Sequence, residues 1–174
     1  MEDRGEVLHV TDQLSTRFDI SSVLQSLQSG PIIFFENIEG YKTRVVGNVC
    51  GTRSRICMSI KVNIIEELYQ KLLGAIARPV YPKIVEDGPV KEIREEVNLL
   101  KIPILTHFEH DAGPYITSAV VSARGSDEKI ENVSIHRLQV LDKKRLAIRL
   151  VPRHLYKMWS MMKERGCDLS LIHI

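Results

Sequence analysis

Gly113-Pro114-Tyr115-Ile116-Thr117-Ser118, then Asn132-Val133-Ser134-Ile135-His136-Arg137, then Val151-Pro152-Arg153-His154: these three stretches of one segment decide the fold. They sit on or beside three apolar, β-branched runs, Ile116 to Ala123, Ile130 to Val140 and Arg145 to Val151. Two short loops divide the runs, Arg124-Gly125-Ser126-Asp127-Glu128-Lys129 and Asp142-Lys143-Lys144. Runs of this kind bounded by Gly, Ser and Asp predict an antiparallel meander. In its middle strand, alternation puts Asn132, Ser134 and His136 on one face and Ile135 and Arg137 on the other. A half-buried strand normally keeps one face apolar. This strand carries polar, phosphate-competent groups instead, which marks it as a candidate site.

Working outward from the meander, a helix is predicted from about Arg153 to Arg165, with Leu155, Met158, Trp159 and Met162 on its apolar stripe and Gly166 as its stop. Upstream, Asp19 is a good N-cap for a short helix carrying Val23, Leu24 and Leu27, ended by Gly30-Pro31. Pro31 to Phe35 is expected as a buried strand, Glu36 to Tyr41 as a loop and Thr43 to Val49 as a second strand. Asn63 with Glu66 has the spacing of a capping box, and the helix after it lines up Ile64, Leu68, Leu72 and Ile76 before Arg78-Pro79. Alternating strands and helices predict an α/β layer over residues 1–98, with Tyr81 to Val97 as the connection to the β part.

Composition excludes several classes. The chain has 174 residues, 44% of them apolar, enough for a real core. Its 24 Lys and Arg against 22 Asp and Glu leave a net charge of +2, which is no basic footprint for nucleic acid. Apolar runs are far too short for a membrane span, and the acidic N-terminus lacks the pattern of a secretory signal. Cys50, Cys57 and Cys167 form no C-x-x-C pair, and scattered cysteines fit a reducing cytoplasm.

The motifs resemble those of the UbiD-type decarboxylases. The similarity is carried by Phe34-Phe35-Glu36-Asn37-Ile38-Glu39-Gly40-Tyr41, Arg44-Val45-Val46-Gly47-Asn48, Gly51-Thr52-Arg53 and Leu100-Lys101-Ile102-Pro103-Ile104, together with the three stretches quoted first. It implies an N-terminal α/β domain over 1–98 and, over 99–168, part of an antiparallel split β-barrel of the flavin reductase-like kind. It further implies prenylated FMN as cofactor, made by a flavin prenyltransferase, and a small unsaturated or aromatic carboxylic acid as substrate. A homo-oligomer is expected for the complete enzyme.

Residue by residue, the resemblance assigns Asn132 and His154 to a divalent ion, manganese in the first place, that bridges to the flavin phosphate. It leaves room for a potassium ion as well. Ser134, Ile135, His136 and Arg153 would line the phosphate and flavin. Arg137 matches the family's active-site arginine, which pairs with a catalytic glutamate and holds the substrate carboxylate. Taken singly, each residue has a plainer reading: His154 as a capping histidine, Asn132 as a strand-entry residue, Arg137 as a surface arginine. His107-x-x-His110 with Glu109 and Asp111 invites a metal assignment, but before Gly113-Pro114 a solvated loop is the better expectation. Gly47 and Gly51 are expected to serve strand-end turns.

The family's third metal ligand and its proton-handling carboxylates are expected further along than this chain runs, so the chain alone is expected to be inactive. Its last residues, Leu169-Ser170-Leu171-Ile172-His173-Ile174, match the translation of CTGTCTCTTATACACATC, the end of a transposase adapter. On that reading 169–174 is an adapter-encoded tail, and the plain alternative is a native strand. The alternative function is a non-catalytic module that binds flavin phosphate, or one subunit of a split enzyme.

Overall fold

The computed structural model describes residues 2, 5–80, 82–125 and 131–173. Most of the 124–129 loop and Ile130 therefore lie outside the described residues, as do Tyr81 and Ile174. The chain divides into two compact units, 1–15 with 22–97, and 16–21 with 98–174.

In the first unit a three-stranded sheet runs in the order β1-β2-β3, where β1 is Val7–Leu14, β2 is Ile32–Ile38 and β3 is Val45–Gly47. β1 and β2 are parallel, with Val7 opposite Ile32 and Leu14 opposite Ile38, and β3 is antiparallel to β2. Helix α1 (Asp19–Ser26) joins the two parallel strands, as parallel pairing requires a crossover. Ile33, Phe35 and Ile38 are buried on β2, which continues through Glu36–Ile38 where a loop was expected. β1 was not foreseen, because its polar VLHVTDQL pattern leaves most of it exposed.

Helix α2 (Arg53–Ser59) was missed too; it is short and starts on a side-chain cap, with Thr52 accepting the N–H of Arg55. Helix α3 (Ile65–Ala77) begins one residue after its Ile64 cap. The carboxylate that accepts the Asn63 N–H is Glu67, at 2.9 Å, and not Glu66 as the capping box predicted.

The β3–α2 loop is a dense polar node. Asn48 adopts φ +59°, a left-handed conformation that asparagine tolerates better than most residues. Its amide donates to the carbonyls of Leu27, Gly30 and Pro31 at 2.8–3.1 Å. Arg55, 6% exposed, donates through Nη2 to the carbonyls of Gly30 and Asn48. A Cβ at position 51 would lie 1.9 Å from Oδ1 of Asn48, so a larger residue there would have to displace the Asn48 amide from its carbonyls. Asn48→Ala should cost about 1 kcal/mol in urea unfolding, because the Pro31 carbonyl loses this donor while those of Leu27 and Gly30 keep the Gly30 N–H and the Arg55 guanidinium. An unchanged midpoint would show that water replaces the amide.

An exposed ionic cluster lies on β1 and β2. The ring nitrogens of His9 are 2.7 Å from Glu36 and 2.9 Å from Glu2, and Arg44 lies 3.6 Å from Glu36. The hydrogen bond to Glu36, and then that to Glu2, raises the His9 pKa above 6.5, while the bond from His9 lowers Glu36 below 4.5. A raised histidine value stabilises fully below 6.5 and loses its contribution as pH climbs through the folded value. The lowered Glu36 value contributes above 4.5 and is lost as pH falls. The cluster therefore contributes most between those limits. Titration of the His9 ring by NMR should give a pKa above 6.5 that returns toward 6.5 in Glu36→Gln; equal values in both proteins would contradict the pairing.

In the second unit four antiparallel strands run in the order β6-β5-β4-β7, with β4 Tyr115–Arg124, β5 Glu131–Val140, β6 Leu146–Ile148 and β7 Ser170–His173. β4 and β5 pair along most of their lengths, from Tyr115 opposite Gln139 to Arg124 opposite Glu131, with an irregularity between Ile116 and Ala119. The residues read as a tail form β7 against β4, Arg124 opposite Ser170 and Val121 opposite His173. Thr16–Ser21 joins this unit through backbone bonds between Thr16, Phe18 and Thr106, and through the Ser21 hydroxyl on the His107 carbonyl.

Helix α4 (His154–Glu164) lies on the sheet, where Val121 and Ala123 of β4 pack with Leu155 and Met158. It ends as its sequence predicts. Gly166, at φ +68°, donates to Lys163, and Cys167 donates to Met162, the paired bonds of a Schellman cap. No helix among the described residues is long and apolar enough to cross a membrane.

Candidate functional site

The site residues come from one strand and one helix start. β5 alternates as expected: Asn132, Ser134 and His136 are half-buried on the face that continues into buried Leu138 and Val140. The opposite face presents Val133, Ile135 and Arg137 to solvent, with Ile135 72% exposed. The usual partition is inverted, since polar groups occupy the sheltered side and an isoleucine stands in the open. Exposed β-branched carbons next to charged groups are what a planar, partly apolar ligand would cover.

On the sheltered face a short polar chain runs along the strand. The Asn132 amide nitrogen donates to the Ser134 hydroxyl at 3.1 Å, and that hydroxyl lies 2.9 Å from Nε2 of His136. The carbonyl oxygen is the end of Asn132 left for a further ligand.

α4 supplies the other half. Its first residue is His154, capped by Arg153 in extended conformation with no side-chain cap and no acidic residue in the first turn. An uncapped helix start holds backbone N–H groups without intrahelical partners, at the positive end of the helix dipole. Such an end is a ready anion site, and here it carries an imidazole beside it.

An open cleft of about 500 Å³ gathers these groups. Asn132, Ser134, Ile135, His136, Arg137, Arg153 and His154, all seven residues expected from the sequence, line it. Val133, Arg149, Val151 and Leu155 complete the wall. Asn132 and His154 also line a second cleft, together with Glu131, Lys157, Met158 and Met161.

Arg149 is not among the residues the sequence marks. It stands just past β6, and its one signal is its alternation with Val151 and Arg153, which line the same cleft. With Arg153 it gives the cleft a cationic lining, while the charge of Arg137 is paired with Asp111, and no Asp or Glu is among the lining residues of this cleft. A phosphate suits that field.

The donor set fits a hard or borderline divalent ion only with help. One amide oxygen and one imidazole leave most coordination positions to phosphate, carboxylate or water oxygens. Among the described residues no group of three or more His, Cys, Asp and Glu is placed to hold a metal by itself. His107 and His110 accordingly form no such group, and the loop they occupy has another use: Asp111 accepts the Arg137 guanidinium at 2.6 Å. The sequence names that carboxylate only within a loop expected to be solvated, and gives no sign of its pairing with Arg137.

Comparison with known proteins finds two successive domains of one family. Residues 1–75 match the 3-octaprenyl-4-hydroxybenzoate carboxy-lyase N-terminal domain, and residues 83–172 match the Rift-related domain of that carboxy-lyase. The anhydromevalonate phosphate decarboxylase of Methanothermobacter thermautotrophicus is 35% identical over 167 residues, which covers 95% of this chain and 38% of the relative. The UbiD-class enzyme HmfF from Pelotomaculum thermopropionicum, solved in complex with FMN, is 36% identical with a TM-score of 0.91, over 99% of this chain and 40% of that one. An evolved dimeric form of HmfF in complex with prFMN gives 36% and 0.92, over 99% and 41%. The chain thus spans about two-fifths of the length of these proteins. The antiparallel sheet of the second unit corresponds to a half-barrel in the UbiD-class structures. Matched along both units by the family's own domains, the chain belongs to the UbiD family of carboxy-lyases.

Proposed function

We propose that this chain is the flavin-phosphate-binding part of a decarboxylase that uses prenylated FMN to remove carbon dioxide, reversibly, from an unsaturated or aromatic carboxylic acid. The observation that carries the proposal is the cleft that Asn132, Ser134, His136, Arg153 and His154 line, with Ile135 and Arg137 contributing to its wall from the other face of β5. Decarboxylase relatives and UbiD-class structures holding FMN or prFMN support it. Under this reading the second unit is part of a split β-barrel, the protein works in the cytoplasm as a homo-oligomer, and a flavin prenyltransferase supplies its cofactor.

Loss of carbon dioxide from an sp² carbon leaves electron density that the acid itself cannot delocalise; the prenylated flavin, when bound, supplies the electron sink. The residues of this chain bind and orient. Asn132 through its amide oxygen and His154 through its imidazole would hold a divalent ion, Mn2+ in the first place, which would supply positive charge for the phosphate. Arg153, Ser134, His136 and the α4 N-terminus surround the phosphate, and Arg149 adds charge. Ile135 offers its exposed side chain to the ring system. Arg137 holds the substrate carboxylate in a bidentate fork, which a planar guanidinium does and an ammonium does not. Phosphorylated anhydromevalonate is one candidate substrate, since a relative bears that name.

Equilibrium dialysis of FMN against the chain, with and without Mn2+, tests the binding half. Binding should be weak and at least tenfold tighter with the metal, about 1.4 kcal/mol. Equal binding in both conditions, or none at millimolar FMN, would contradict the proposal.

A further inference from the structure

The loop that precedes β4 is fastened to the solvent-facing side of β5 at two successive positions. Oδ1 of Asp111 accepts Nη2 of Arg137 at 2.6 Å, and the amide of Gln139 donates to the Ala112 carbonyl at 3.1 Å. Asp111 is itself held: its Oδ2 accepts the N–H of Phe108 at 3.2 Å, and its own N–H donates to the Phe108 carbonyl at 3.0 Å. Its side chain is 13% exposed, against 46% for Arg137. The Arg137 guanidinium also lies over the Tyr115 ring, 4.1 Å from Cζ to centroid.

We infer that Asp111 is the positioning residue for Arg137, with Tyr115 as the platform that sets the guanidinium plane. The inference rests on the proposed role of Arg137 in holding a carboxylate. An exposed ion pair between two free side chains contributes little, because ordering both offsets the attraction. Here one partner is already fixed by a closed turn and the other stands over an aromatic ring at 4.1 Å, so less freedom remains to be lost. Arginine carries five N–H donors, and the bond to Asp111 uses one, so the fork keeps enough for a second carboxylate. A guanidinium fixed in advance spares the substrate the cost of ordering it.

The test needs no ligand. In 13C,15N-labelled protein, Arg137 should show resolved, slowly rotating Nη resonances and an Nε–H protected from solvent exchange. Asp111→Asn, which keeps the shape and removes the charge, should speed Arg137 side-chain exchange by about tenfold, on the scale of one charge-assisted hydrogen bond. Asp111→Glu should restore most of the protection, which a purely structural role in the turn would not require. Backbone amides of β6 and α4 report whether each variant keeps its fold. If Asp111→Asn does not fold, the wild-type spectrum still decides: a freely rotating Arg137 guanidinium overturns the inference. So does an Arg137 signal unaltered in a folded Asp111→Asn. Since no flavin, metal or acid is present, failure here is distinct from failure of the proposed function.

Discussion

Arg137→Ala is expected to lower decarboxylation by roughly a thousandfold in kcat/KM, about 4 kcal/mol of transition-state stabilisation, while flavin affinity stays within about threefold. The split follows from where the side chain sits. Arg137 projects from the solvent-facing side of β5 toward Asp111 and Tyr115, whereas Asn132, Ser134 and His136 lie on the other side of the strand. Removing it takes away the group that orients the reacting carboxylate and leaves the phosphate cradle in place. Arg137→Lys keeps the charge but loses the planar fork, so it should recover only about tenfold of that loss. The assay is a chimera that joins this chain to the remaining part of the Methanothermobacter thermautotrophicus decarboxylase, supplied with prenylated FMN, Mn2+ and that enzyme's substrate. Activity in Arg137→Ala within tenfold of the parent would remove Arg137 from the chemistry. Loss of flavin together with activity would move it into the phosphate site.

His154→Ala should do the opposite. It is expected to weaken Mn2+ and FMN binding together, each by on the order of a hundredfold, a loss typical of disturbed metal sites. His154 opens α4 and lines both clefts that Asn132 lines. If the ion is the link between protein and phosphate, neither ligand binds well without the other. Adding Mn2+ should then tighten FMN binding in the parent chain and have no effect in His154→Ala. Metal and flavin affinities that change independently would show that the phosphate is held by the arginines and the helix end alone. Asn132→Ala should behave like His154→Ala, and Asn132→Asp should spare the metal while repelling the phosphate.

How far the sequence led can be judged residue by residue. The meander was legible because β-branched runs and turn-forming loops are local signals, and β4 and β5 lie within a residue of their expected limits. α4 was legible from its stripe and its Gly166 stop, both local as well. β1 was not, because its partner Ile32–Ile38 lies far along the chain and supplies the pairing that its own polar pattern does not announce. α2 was not, because its cap is a single hydroxyl contact and its length is only 7 residues. β6 was expected to reach Val151 and stops at Ile148, pairing only with Leu138–Val140.

The site shows the same limit. β5 spacing alone placed Asn132, Ser134 and His136 on one face, and motif resemblance named Arg153 and His154. Arg149 and the role of Asp111 are not legible because nothing local marks either. Asp111 reaches Arg137 across 26 positions of sequence, and such a contact exists only once the loop is folded back on the strand. The same loop was read as plain solvated polar chain, and its histidines as incidental. Folding gave its aspartate a partner.

The most direct test of the central claim is paramagnetic broadening. FMN and substoichiometric Mn2+ are added to the 15N-labelled chain, and its amide spectrum is followed together with the 31P signal of the flavin phosphate. Weak affinity is no obstacle, since broadening by Mn2+ acts over distance and under fast exchange. The account predicts loss of the amides at Asn132–His136 and Arg153–Leu155 together with the phosphorus signal, and retention of all of them in His154→Ala. Broadening centred on His107–Asp111 or on the first unit, or phosphorus broadening with the β5 amides untouched, would contradict it.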